Sequence, residues 1–167
     1  MADRSRDVLL DLVDEAFDRR AWHGPTLYRS VRGVTPAQAA WRPAPGRHNI
    51  WEVLLHAAYW KHEVRRRLTR ALGRGDGRER NGSFPIRGVN WFTADGRSWT
   101  DDVKLLRDEH RKLRKVIARL TGGALQRRVR GRDTAAFTIR GIAAHDLYHA
   151  GQIQLLRRLQ KTERRSA

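Results

Sequence analysis

Val8, Leu9, Leu12, Val13, Ala16 and Phe17 recur at spacings of three and four, which sets them along one side of a helix and predicts a first helix from about Ser5 to Trp22. Gly24-Pro25 stops it. The stretch from Val34 to Gly46 is rich in proline and small residues and reads as a connection, with Thr35-Pro36 capping one short turn before Trp41. Asn49 and Glu52 form a capping box at the start of a second helix carrying Val53, His56, Trp60, Val64 and Leu68, closed by Gly73 to Gly77.

Residues 73–97 lack sustained periodicity and are too long for a tight turn between neighbouring helices, so they predict a crossover. Trp91 and Phe92 within it are expected to pack over the mouth of the helices. Ser98 and Asp101 open a third helix along Val103, Leu106, His110, Leu113, Ile117 and Leu120, which Gly122-Gly123 ends. An arginine-rich link, 124–137, leads to a fourth helix from near Thr138, with Ile142, His145, His149, Gln152, Ile153 and Leu156 on one side. The pattern predicts an all-α, single-domain four-helix bundle with a long crossover between helices 2 and 3 and a short basic tail from about residue 161.

At 167 residues the chain is long enough to bury a polar site inside one core. It has no cysteine, which removes disulfides, thiolate metal sites and a cysteine nucleophile, so any sulfur chemistry needs an external thiol. The charged N-terminus and the lack of a long apolar run lead to the expectation of a cytoplasmic protein with no membrane span. The net charge of +17 raises nucleic acid as a partner. Against it, five of the 35 basic residues are lysine and the remaining thirty are arginines scattered along the whole chain, as solvated faces require. The densest patches, Arg65 to Arg67 and Arg127 to Arg132, lack the interleaved aromatics of a stacking platform.

The chemistry concentrates in histidines. His145 and His149 are four residues apart and share a helical face, where two neutral imidazoles grip one ion. His56, in the apolar run from Trp51 to Trp60, is expected to point inward as well. Taken alone, the i,i+4 pair fits ordinary core or surface histidines equally well. Three buried imidazoles without a metal would each need a partner or cost about 1 to 3 kcal/mol, whereas one cation satisfies three nitrogens together. Three protein ligands leave a coordination position open, as in catalytic sites. Imidazoles accept zinc, nickel, copper, iron or cobalt.

The other candidates carry alternatives. His110 reads as a packed residue, with a fourth ligand or a proton carrier as the other options. Gln152, one turn past His149, is placed to hydrogen-bond a ligand ring or to serve packing. Asp146 faces away from its histidine neighbour and is expected to meet another helix or to orient a ligand from elsewhere. Glu63, two turns beyond His56, is the best-placed general base on the second helix, with a salt bridge to an arginine as the competing role. Trp60 and Tyr148 are candidates for pocket walls. His62 falls on another face of its helix, and His23 and His48 lie near helix ends.

His56, the segment from His145 to Ile153, the stretch Trp41 to Gly46 and the break at 73–97 together resemble the DinB/YfiT-like superfamily of metal-dependent enzymes over nearly the whole chain. The resemblance implies a four-helix bundle with a crossover, frequent homodimers, and a divalent metal on residues matching His56, His145 and His149. That metal is often nickel or zinc, with iron, manganese or cobalt as further options. It also implies hydrolase or transferase chemistry, in several relatives with a low-molecular-weight thiol as co-substrate. Iron-dependent sulfoxide synthases of this type carry a glutamate two residues after the last histidine; here that position is Gly151, so their chemistry is not expected. The competing class is a non-catalytic basic module that captures nucleic acid or an acidic partner, its histidines serving only packing.

Overall fold

A computed structural model describes residues 4–73, 83–94 and 96–166. The chain is mostly helical: α1 (Arg4–Phe17), α2 (Leu27–Val31), α3 (Pro36–Ala40), α4 (Ile50–Ala71), α5 (Trp99–Ile117), α6 (Gly122–Leu125) and α7 (Ala135–Ser166), with a small antiparallel hairpin of β1 (Arg128–Arg130) and β2 (Asp133–Thr134) before α7. No described helix is long and apolar enough to cross a membrane.

The starts of the helices follow their capping chemistry. At α4 the Asn49 side chain accepts from the Glu52 amide at 2.8 Å while the Glu52 carboxylate accepts from the Asn49 amide. Thr35 and Gln38 make the same reciprocal pair at α3, and Ser98 caps α5. Each such cap contributes on the order of 1 kcal/mol.

Several boundaries differ from the sequence reading. α1 stops at Phe17 rather than Trp22, because the amides of Asp18 and Arg19 both turn back onto the Asp14 carbonyl at 3.0 Å. Trp22 lies fully exposed, so no core rewards further helix. The link 124–137 holds α6 and the hairpin, which turns at Gly131 with φ +52°. α7 then starts at Ala135, its Phe137 amide capped by the Thr134 hydroxyl at 3.1 Å. The basic segment expected as a tail continues α7 to Ser166. Gly77 and part of the crossover lie outside the described residues.

α4 packs against α5 and α7, and α1 packs against the same two helices. Two apolar clusters result. One gathers Phe17, Leu27, Ile50, Leu54, Leu55, Leu106 and Ile153; the other gathers Val13, Val64, Leu68, Leu113, Ile117, Ile139 and Ile142. Along every long helix the change from one cluster to the other is marked by buried polar residues: Asp14 on α1, Lys61 on α4, Glu109 and His110 on α5, Asp146 and His149 on α7. Burying each large aliphatic side chain contributes about 1.5 to 3 kcal/mol, and that apolar framework holds a polar belt across the middle of the domain.

Candidate metal centre

His56 comes from α4, and His145 and His149 from α7. The Nε2 atom of His145 lies 3.1 Å from Nε2 of His56 and 3.0 Å from Nε2 of His149. Among the described residues these three form a cluster whose ligand atoms all lie within 4.8 Å of one another.

The outer nitrogens fix the protonation of two rings. Nδ1 of His56 lies 2.8 Å from the Asn90 carbonyl, which only accepts, so Nδ1 carries the proton and Nε2 offers a lone pair. Nδ1 of His149 donates to Gln152 Oε1 at 2.7 Å, with the same consequence. His145 has no such support: its Nδ1 is buried without a hydrogen-bond partner. With its proton on Nδ1, three lone pairs face one another; with its proton on Nε2, Nδ1 is left bare. Protonating a second ring is opposed, since burial lowers all three pKa values, to about 3 for His145 and about 4 for His149, with the neighbouring histidines adding repulsion.

One divalent cation would resolve the conflict. Nitrogens bound at about 2.0 to 2.1 Å to a common ion stand roughly 3 Å apart, which matches the two separations from His145 Nε2. The donor set, three neutral imidazoles, suits zinc, nickel, copper, iron or cobalt.

Trp91 covers the centre from the crossover segment. Its indole is sandwiched between His56, with ring centroids 4.0 Å apart, and His48, at 3.6 Å. His48 is held in turn by Glu52, whose carboxylate accepts from Nδ1 at 2.9 Å while also pairing with Arg42. Asn90 precedes Trp91 with φ +69° and is the one described non-glycine residue at positive φ. Its carbonyl holds His56, and its side-chain oxygen accepts from Trp60 Nε1 at 3.0 Å. Asparagine tolerates this left-handed conformation better than most residues, and the strain falls beside the centre.

The centre opens into a cleft of about 710 Å³ between α7 and the segment before α4. His56, His145, His149, Gln152, Tyr148 and Trp91 line its inner part. A smaller recess of about 170 Å³, lined by Trp60, Val64, Arg67 and Phe137, reaches His145 from another side.

Of the residues singled out from sequence, His56, His145, His149, Gln152 and Tyr148 come together in the cleft. Trp60 packs edge-on to His56 and His145 at the smaller recess. Asp146 turns away from the cluster to Lys61. His110 is stacked on Phe17 at 3.7 Å, 3.6 Å from Asp14, away from the three ligands. Glu63 is not brought to the centre; it pairs with Arg66 at 2.7 Å in a separate recess beside Phe84. Asn90, His48 and Glu52 were not anticipated as parts of the site. An asparagine in the glycine-flanked run Gly88-Val-Asn-Trp91 was the one available hint of a left-handed turn.

Comparison with curated proteins and with solved structures finds no significant match to either. The sequence model of the DinB superfamily, in contrast, matches residues 1–153, a span that contains all three histidines and the whole of the cleft's inner wall. The chain belongs to the DinB superfamily.

Proposed function

We propose that this protein is a metal-dependent enzyme built on a four-helix bundle, with the crossover joining α4 to α5. His56, His145 and His149 hold a divalent ion, zinc or nickel by preference, and the reaction is hydrolysis or thiol transfer on a small molecule. The observation that carries this reading is the convergence of three Nε2 atoms at the inner end of an open cleft. When bound, such an ion supplies the Lewis acidity that makes a water or an external low-molecular-weight thiol nucleophilic near neutral pH.

The chain's own residues supply orientation and shielding. Gln152 and the Asn90 carbonyl fix the tautomers of His149 and His56, and Trp91 shields one face of His56 from water. His48, its Nδ1 proton held by Glu52, keeps Nε2 as a proton acceptor in the cleft wall. Among the described residues the cleft lining contains no carboxylate, so the proton-accepting role falls to this imidazole. Homodimerisation belongs to the same proposal.

Metal analysis of protein purified without a polyhistidine tag tests the reading. One equivalent of bound ion that His149→Ala abolishes supports it. Metal-free protein that binds DNA with a steep dependence on salt instead identifies a basic binding module.

A further inference from the structure

The wall of the cleft is uneven in a way that selects a ligand. On α7, Tyr148, Leu155 and Leu159 fall with Gln152 on one stripe at spacings of four, three and four, and remain 64%, 58% and 42% exposed. Val53 and Leu156 form a buried floor beside them. From His149 to Leu159 the helix rises about 15 Å, so the apolar track leads well away from the three histidines.

The polar side of the cleft carries the positive charge of Arg47. His48 lines it beside Arg47, and among the described residues the lining contains no acidic residue. Arg47 is exposed, and its guanidinium forms no ion pair with a described residue. Its place near the histidines follows from the chain: it adjoins His48, which stacks on Trp91, which stacks on His56. One free guanidinium presents a fork that matches one carboxylate.

We infer that the cleft binds an amphipathic carboxylate, with its acid group on Arg47 close to the reacting end and its apolar body along Tyr148, Leu155 and Leu159. This names the substrate class of the reading above and rests on it for the reaction, though not for the binding. Cationic amphiphiles are disfavoured by Arg47 and by the lack of an acidic partner among the described lining residues. Short hydrophilic acids leave the apolar track unfilled.

Titration calorimetry of the full chain with decanoate, octanoate, hexanoate, octanol and decylammonium, all below their micellar concentrations, provides the test. The expected result is 1:1 binding of decanoate that weakens about twofold to fourfold for each methylene removed. Arg47→Glu is expected to weaken decanoate at least about tenfold, the cost of losing one charge-assisted pair, while octanol binding is unchanged. Arg119→Glu, an exposed charge reversal just past the end of α5, leaves both unchanged. Leu155→Asp weakens both.

Equal affinity for hexanoate and decanoate, tight binding of decylammonium, or indifference to Arg47→Glu overturns the inference. So does sedimentation showing a dimer that Leu159→Glu dissociates, in a protein that binds none of the probes, because the stripe is then an interface between copies. Metal content measured on the same samples separates the two readings. Decanoate binding without a stoichiometric ion removes the enzyme and keeps the cleft; an ion without decanoate binding removes only the ligand class.

Discussion

Lys61 Nζ lies 2.5 Å from Asp146 Oδ2, and both side chains are wholly buried. The pair joins α4 to α7, the two helices that supply the three histidines. Lys61 stands five residues after His56, and Asp146 stands between His145 and His149. The contact thus ties together the same stretches of helix whose relative position sets the Nε2 separations. Burial raises the Asp146 carboxyl to about 6 against the pull of Lys61.

Removing one partner leaves an uncompensated buried charge. Lys61→Met is expected to destabilise the protein by about 3 to 5 kcal/mol, whereas Lys61→Met with Asp146→Leu recovers most of that loss. Urea unfolding of the wild type, the single variant and the double variant measures both terms. Full destabilisation of the double variant would show that the pair contributes net stability.

The groups behind the three histidines are expected to set metal affinity. Gln152→Leu removes the acceptor that holds His149, and an affinity loss of about 10-fold to 100-fold is expected. Asn90→Gly keeps both the backbone carbonyl and the positive φ, and should leave affinity within a few-fold of wild type. Asn90→Val forces a β-branched residue into a left-handed conformation and should cost on the order of 1 to 3 kcal/mol of stability. Competition titrations with a chromophoric chelator, together with thermal melts, would reveal a wrong ranking of the three variants.

Acid should weaken the fold through α5. Burial, offset in part by Asp14, holds His110 at about 4, against 6.5 for a free imidazole. The unfolded chain therefore takes up its proton first as pH falls. The stability due to neutral His110 is complete above pH 6.5 and is lost between 6.5 and 4, on the order of 3 kcal/mol in all. His110→Phe, which keeps a ring against Phe17, should lack this component, and the difference between the two unfolding curves across that window isolates it. Glu109 acts lower on the scale. Although burial opposes it, hydrogen bonds from Arg65 and Lys112 and their charges hold its pKa at about 2, so its contribution disappears as pH drops from 4.5 to 2.

An ion that binds only the folded chain must stabilise it. At about a thousandfold excess over the dissociation constant the gain is about 4 kcal/mol. Zinc or nickel is expected to raise the melting temperature, a chelator to reverse the rise, and His56→Ala to abolish the response. An unchanged melting temperature in the wild type would argue against the centre.

The sequence readily revealed what depends on helical period and capping. His145 and His149 share a face because they are four apart, and Asn49 and Glu52 announced the start of α4. Residues whose roles arise only in the tertiary structure stayed hidden. Asn90 acts on His56 through a backbone carbonyl, a group every residue possesses. His48 appeared to be a helix-end histidine because its partner, Trp91, is forty-three positions away along the chain. Glu63 shows the converse. It follows His56 by two turns on the same stripe, but about 10 Å further along the axis, where the neighbour is the segment bearing Phe84 and Ile86 rather than α7.

The bond from His56 to the Asn90 carbonyl makes one imidazole answer to two masters. Its inner nitrogen belongs to the ligand cluster, while its outer proton anchors the peptide that seats Trp91. A cation on the inner nitrogen would fix the ring and, through its outer proton, the peptide that seats Trp91. The residence time of an ion held there would accordingly depend on the segment bearing Asn90 and Trp91 as well as on the three nitrogens.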